Sequence, residues 1–236
     1  MKLFKKISVI IIGPPGSGKG TQAKLLSDKL DLFNFDTGVY LRKLIYGVGK
    51  NDKKIQKERK LNEAGKLNTP SWVLKVLSKR VKEISKLGQS LIFSGSPRTE
   101  FEAFGDPEGI ASRSYGAGKK QKGLIEILEQ EYGKKNIFVF NLDVPAEESL
   151  KRNRKRLTCL VCKTPLMSLN VIKSNSCPFC GGKLEIRKDD KKEIIMERLE
   201  EYKSRTYPVL NGLKKMGYKI IKIDGRPLPY KIHERM

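Results

Sequence analysis

The sequence predicts an α/β protein of three layers, with a central parallel sheet between helices. Two observations carry this. ISVIII, residues 7–12, is a continuous apolar run of strand length; it is rich in β-branched residues, as a strand buried on both faces requires. Further along, strand candidates alternate with helical stretches, the pattern left by crossover connections.

In order, the first strand runs into a glycine loop, and TQAKLLSDKL then spaces its apolar residues as a helix. Residues 39–87 read as mainly helical and strongly charged, with breaks at Gly47, Gly49, Gly65 and Pro70. Leu91–Phe93, IFVFNLDV (137–144) and KIIKID (219–224) are the further strands. FGDPEGIASRSYGAGKKQKG, residues 104–123, reads as an exposed loop, followed by a helix at about 122–132. A charged helix at roughly 190–205 and another near 208–216 precede the last strand.

At 236 residues and 38% hydrophobic, the chain can bury one large core with inserts. Its 49 Lys and Arg against 26 Asp and Glu give a net charge of +23, which favours polyanions: nucleic acid, an anionic membrane or phosphorylated small molecules. No apolar run is long enough to cross a membrane as a helix. The basic start and short apolar run lead into a glycine loop rather than a cleavage site, so they read as a buried strand in a cytoplasmic protein. Cys159, Cys162, Cys177 and Cys180 form two C-x2-C pairs with fourteen residues between them. In an intracellular chain such pairs read as a closed, structural zinc site rather than disulfides. The only histidine, His233, lies near the C-terminus, which argues against His-based chemistry.

The segment Gly13-Pro14-Pro15-Gly16-Ser17-Gly18-Lys19-Gly20-Thr21 sits between a predicted strand and a predicted helix, as a phosphate-binding loop requires. Glycines let backbone N–H groups turn toward phosphate oxygens, the helix N-terminus adds its dipole, and Lys19 reaches the β- and γ-phosphates. The expected fold is therefore that of a P-loop NTPase. The general loop has Ser or Thr directly after the lysine; here Gly20 stands there and Thr21 follows.

In the form GPPGSGKGTQ, the loop resembles that of the adenylate kinase family of nucleoside monophosphate kinases. Other segments extend the resemblance over most of the chain. DTGVYLR (36–42) is similar to the family's monophosphate-contacting segment at Thr37 and Arg42, with Val39 in place of an acid. AGKLNTPSWV (64–73) resembles the stretch flanking the adenosine pocket at Gly65, Lys66, Leu67 and Thr69. SGSPRTEFEA (94–103) resembles DGFPRT-x-x-QA at Gly95, Pro97, Arg98, Thr99 and Ala103, and departs at Ser94, Ser96 and Glu102. NLDVPAEESLKRNRKR (141–156) carries Arg152 and Arg156 where the family aims arginines at phosphates. CPFCGGKLEIRKDD (177–190), with Arg187 and the Asp189-Asp190 pair, resembles a zinc-bearing lid. Arg198 matches another phosphate-facing arginine, and Pro227 falls in a turn similar to the one that meets the ATP base.

The resemblance implies reversible transfer of the γ-phosphoryl of Mg2+-ATP to AMP, giving two ADP, by a monomer. It implies catalytic roles for Lys19, Arg98, Arg156, Arg187 and Arg198. ATP would meet Gly13, Gly16, Ser17, Gly18, Lys19, Gly20, Thr21, Arg152, Arg156 and Pro227. The monophosphate would meet Thr37, Arg42, Lys66, Leu67, Asn68, Gly95, Ser96, Pro97, Arg98, Glu102, Arg187 and Arg198. The core would comprise residues 1–37, 81–156 and 191–236, with a monophosphate-binding insert at 38–80 and the zinc lid at 157–190. Such a kinase needs Mg2+ with its ATP, and lids that exclude water.

Two departures bear on the chemistry. Ser94 stands where a carboxylate is expected to hold magnesium, and Asp36 and Asp143 are candidate substitutes near strand ends. At Glu102 an ionised carboxylate only accepts hydrogen bonds, which suits guanine better than adenine, so GMP is the competing acceptor. A nucleotide binder without turnover and a nucleic-acid-binding ATPase are the other readings. Aromatics around the cysteine knuckles are few, chiefly Phe179, so no stacking platform for nucleic acid is evident.

Overall fold

The computed structural model describes residues 5–47, 52–106, 121–167, 176–187 and 190–236. The loop expected at 104–123 falls largely on residues 107–120, outside the described residues, as do Gly49 and Asp189.

The first half runs β1 (Ser8–Ile12), α1 (Lys19–Leu30), β2 (Phe33–Phe35), α2 (Thr37–Gly47), α3 (Lys53–Glu63), α4 (Pro70–Lys86), β3 (Leu91–Phe93), α5 (Glu100–Phe104) and β4 (Gly105–Asp106). It continues with β5 (Gln121–Lys122), α6 (Leu124–Tyr132), β6 (Ile137–Asp143), α7 (Ala146–Lys155), β7 (Arg156–Cys159), β8 (Pro165–Met167) and β9 (Leu184–Ile186). Last come α8 (Lys192–Glu201), α9 (Tyr207–Lys215), β10 (Ile220–Asp224) and α10 (Pro229–His233).

Five strands form one parallel sheet in the order β10-β6-β1-β3-β2. The run ISVIII becomes its central strand because alternate side chains enter two separate cores. Ile10 and Ile12 join Phe35, Phe93 and Val139 beneath α4, α6 and α9. Val9 and Ile11 join Ile92, Phe140 and Leu142 beneath α1 and α10. A strand buried on both faces cannot alternate apolar with polar residues, which explains the unbroken run.

Three features depart from the elements read along the chain. β2 is a fifth strand of the sheet; its sequence FNF is too short to show a period. The helices expected near 190–205 and 208–216 are continuous, joined by a π turn at Tyr202–Thr206. Pro208 lies in the first turn of α9, where the wider turn leaves its missing N–H without consequence. Strands β7, β8 and β9 form a small antiparallel sheet of their own.

Helix identities follow local rules. Asp52 caps α3 by accepting from the N–H of Lys54 at 2.8 Å. Pro70 begins α4 at a position that needs no N–H, and α4 buries Val73, Leu74, Leu77, Val81 and Ile84 along one face. Truncating Ile10, which is fully buried, is expected to remove about 2–5 kcal/mol of stability. Urea denaturation of Ile10→Ala checks this, with the exposed Leu87→Ser expected to stay within about 0.5 kcal/mol.

Candidate active site

Parallel strands deliver their carboxyl ends to one edge, and the segments leaving β1, β3 and β6 are neighbours there because those strands are adjacent. The loop after β1 reverses through left-handed residues, Gly16 at φ 75° and Gly18 at φ 91°, which glycine adopts at no steric cost. A Cβ on Gly16 would lie 2.5 Å from Asn153 Nδ2. Helix α7 supports this approach: the Ser149 hydroxyl donates to the Pro15 carbonyl, and Asn153 donates to the Ser149 carbonyl at 2.8 Å.

Lys19 folds back over the loop and donates to the carbonyls of Gly13 and Pro14, each at 2.7 Å. Its pKa lies well below the usual lysine range. Burial is the main cause, followed by the positive charges of Arg98, Arg198 and Arg156; Asp36 acts in the opposite sense. Four cations are thus held around one buried point. An anion arriving there stabilises the ammonium and relieves the mutual repulsion.

Each arginine is positioned by carbonyls or a carboxylate. Arg98 Nε donates to the Gly95 carbonyl at 2.7 Å. Arg156 grips Asp190 with Nε at 3.0 Å and a terminal nitrogen at 2.5 Å, and Arg198 reaches the same carboxylate at 3.6 Å. The Asp190 side chain is fully buried.

Beside this cluster lies a cavity of about 1050 Å³, counting the part open to solvent, lined by Lys19, Arg42, Arg98 and Arg198 and by apolar Leu41, Leu67 and Val73. Of the residues expected to meet a monophosphate, Thr37, Arg42, Lys66, Leu67, Asn68, Gly95, Ser96, Pro97, Arg98, Glu102 and Arg198 all line it. The hydroxyls of Thr37 and Ser96 are buried there without hydrogen-bond partners among the described residues. Unpaired buried hydroxyls are costly, so both suit a polar ligand. Asn68 is otherwise engaged: its amide donates to the carbonyl and carboxylate of Glu58 at 2.9 and 3.0 Å. Tyr202 and Thr206 of the π turn also line the cavity; no local signal in the sequence marked them.

Glu102 is buried, and one carboxylate oxygen, Oε2, accepts from the N–H of Arg98 at 2.8 Å. Its own N–H donates to Thr99 Oγ1 at 3.0 Å, which caps α5. Burial raises its pKa to about 7, against the pull of the Arg98 hydrogen bond and of the Arg98 and Arg205 charges. A raised carboxyl pKa means the folded protein holds a proton that the unfolded chain gives up. This group's contribution to stability is therefore present below about 4.5 and lost as pH rises through about 7.

Gly13 and Lys19 of the loop also line the cavity, and the other expected residues lie outside its wall. Arg152 was expected to face phosphate. Instead its guanidinium donates to the carbonyls of Gly225 and Arg226 at 2.7 and 2.8 Å and pairs with Glu148 at 2.7 Å. Those carbonyls belong to the turn carrying Pro227, and a Cβ on Gly225 would sit 3.2 Å from the Ser17 carbonyl. Arg152 therefore braces the turn beside the loop. Gln22 ties the same region to α1 by donating to the Pro229 carbonyl at 2.8 Å. Gly20 and Thr21 lie in the first turn of α1. Arg187 follows β9, and its carbonyl accepts from the Asp190 N–H at 3.0 Å.

The two candidate carboxylates differ. Asp143 is exposed and paired with Lys222 at 2.8 Å, whereas Asp36 accepts from the N–H of Val39 at 2.9 Å and its charge acts on Lys19. The Ser94 hydroxyl is buried with no partner among the described residues.

The four cysteines converge between β7 and β9. Their sulfurs all lie within 4.8 Å of one another, with Cys159–Cys180 at 3.5 Å and Cys162–Cys177 at 3.7 Å. A tetrahedral zinc with Zn–S bonds of about 2.3 Å needs sulfur separations of about 3.8 Å, so the set fits that metal.

The Asp190 carboxylate is the buried charge that Arg156 grips and Arg198 reaches. Asp190→Asn is expected to cost about 3–5 kcal/mol in a denaturant titration.

A family model described as an AAA domain matches residues 12–108. Proteins named adenylate kinase match nearly the whole chain. Those of Methanothrix thermoacetophila and Archaeoglobus fulgidus are each 32% identical over 221 residues, covering 93% of this chain and 91% of theirs. That of Clostridium tetani is 30% identical over 222 residues, with the same coverage. With a phosphate loop, converging cations and relatives aligned from end to end, the chain belongs to the adenylate kinase family and is a phosphotransferase of the nucleoside monophosphate kinase class.

Proposed function

We propose that this kinase transfers the γ-phosphoryl of ATP to AMP, forming two ADP, and runs equally in reverse. The observation that carries the reading is the convergence of Lys19, Arg98, Arg156 and Arg198, where burial first and the arginine charges second depress the lysine. Phosphoryl transfer asks the protein chiefly to align donor and acceptor and to stabilise charge on the equatorial oxygens. Lys19 and the loop N–H groups hold the β- and γ-phosphates of the donor. Arg42 and Arg98 hold the acceptor phosphate, since a guanidinium fork can bind it through two hydrogen bonds. Arg156, Arg187 and Arg198 close on the group in flight. Arg152 and Pro227 act at the base end of ATP, through the braced turn.

Mg2+ bound with ATP neutralises phosphate charge and takes oxygen ligands. The phosphates supply most of these. The buried Ser94 hydroxyl would hold the metal's hydration through a hydrogen bond, and Asp36 would provide the nearby negative charge. Segment 38–80 covers the acceptor and 157–190 the donor, excluding the water that would otherwise take the phosphoryl group. Zinc on the four thiolates would hold the second cover together, because among the described residues its own apolar core is only Cys159, Cys177 and Leu184 with Leu157 and Leu166 packed against them. Both nucleotides are served by one chain, so a monomer suffices. Reduced thiols suit the cytoplasm, and no helix among the described residues is long and apolar enough to cross a membrane.

The test is chromatography of products from Mg2+-ATP with AMP, GMP, CMP or UMP. ADP formation that depends on added AMP supports the reading; ATP binding without turnover of any acceptor overturns it. Arg98→Ala is expected to lower kcat/KM by about 10- to 100-fold, the worth of a charged hydrogen bond. Metal analysis is expected to give one zinc per chain, lost in Cys159→Ser together with protease resistance of residues 157–190.

A further inference from the structure

The cavity contains a carboxyl that phosphoryl transfer does not use. Glu102 is only 2% exposed, and two hydrogen bonds fix it: its N–H to Thr99 Oγ1, and the Arg98 N–H to its Oε2. A backbone N–H always donates, so Oε2 stays an acceptor whether or not the carboxyl is ionised. A bound proton therefore sits on Oε1. No hydrogen bond among the described residues occupies Oε1, and Glu102 lines the cavity, so Oε1 is what the side chain offers a ligand.

The two states of Oε1 are chemical opposites. Protonated, it donates, and matches a purine whose N1 is a bare acceptor, as in adenine. Ionised, it accepts, and matches a 6-oxopurine, whose N1 carries hydrogen, as in guanine. In the wrong state two acceptors or two donors meet in a buried place, at a cost worth roughly ten- to a hundredfold in affinity. We propose that Glu102 selects the acceptor's base by its protonation state, taking adenine when neutral and a 6-oxopurine when ionised. This rests on the reading of the cavity as the acceptor site.

The surroundings keep both states within reach. Arg98 and Arg205 favour the anion, burial opposes it, and the balance falls at about 7. Helices α4, α6 and α9 meet α5 within an apolar cluster that includes Leu74, Leu128 and Leu210. Asp106 on β4 lies past the far end of α5, while Arg42, Lys66, Arg198 and Glu201 face the same cavity. The cations on these walls favour the phosphate in both cases and leave the difference between bases to Glu102.

The experiment is competition between AMP and GMP in one reaction from pH 6 to 8. The second ionisation of the acceptor phosphate, near pH 6, is common to both nucleotides and cancels in the ratio of their rates. For a mismatch worth roughly ten- to a hundredfold, that ratio is expected to fall by about 25- to 80-fold over the range, and in Glu102→Gln to become flat and fixed toward AMP. Calorimetry at pH 7, in buffers of different ionisation enthalpy, is expected to show that binding AMP takes up about one proton more than binding GMP, a difference that cancels the protons exchanged by phosphate and Lys19 and is absent in Glu102→Gln. A flat ratio in the unaltered protein, a slope that survives in Glu102→Gln, or equal proton exchange with both nucleotides overturns the proposal. If nucleotides bind without turnover, the transfer reading fails and the calorimetry still decides the role of Glu102. If neither nucleotide binds, both fall together.

Discussion

The architecture depends on holding several cations close together at the carboxyl edge of the sheet. Burial first, and then the charges of Arg98, Arg198 and Arg156, push the Lys19 pKa down. Such a cluster survives only where other groups hold each member. The loop carbonyls of Gly13 and Pro14 hold the lysine, the Gly95 carbonyl holds Arg98, and one buried carboxylate, Asp190, holds Arg156 and Arg198. The sheet order makes this possible by setting β1 between β3 and β6, so that three strand-to-helix connections meet at one edge. The double-sided core beneath them gives that edge its rigidity.

The segment after β3 shows how chemistry can change on a fixed scaffold. Ser94 presents a buried hydroxyl where a carboxylate was expected, and Asp36 is the carboxylate whose charge acts on Lys19. Glu102 keeps the shape of a glutamine but exchanges a fixed donor for a titratable one. Its environment decides the outcome: burial raises the carboxyl while two arginines restrain the rise. A charge balance of +23 finds its local meaning in the phosphate-facing cluster.

Much of this was legible in the sequence wherever the signal is local. The run ISVIII, the loop behind it and the cysteine pairs each announce their structure within a few residues, and the residues expected around a monophosphate, Arg187 excepted, line one cavity. What escaped was set by distant partners. β2 is three residues long and is a strand only because β3 pairs with it. Arg152 looks like any phosphate-facing arginine until the Gly225 and Arg226 carbonyls take its guanidinium. Asp36 and Asp143 were equivalent on paper; the cross-strand neighbour Lys222 separates them. Glu102 was visible as a carboxylate, but its elevated pKa follows from burial alone.

The central claim is that one chain holds donor and acceptor phosphates together and keeps water out. Incubation with Mg2+-ADP as the sole nucleotide, followed by phosphorus NMR at neutral pH, tests it most directly. The account predicts ATP and AMP appearing in equal amounts with no inorganic phosphate. Failure to form ATP, or release of inorganic phosphate in step with ADP loss, would contradict it.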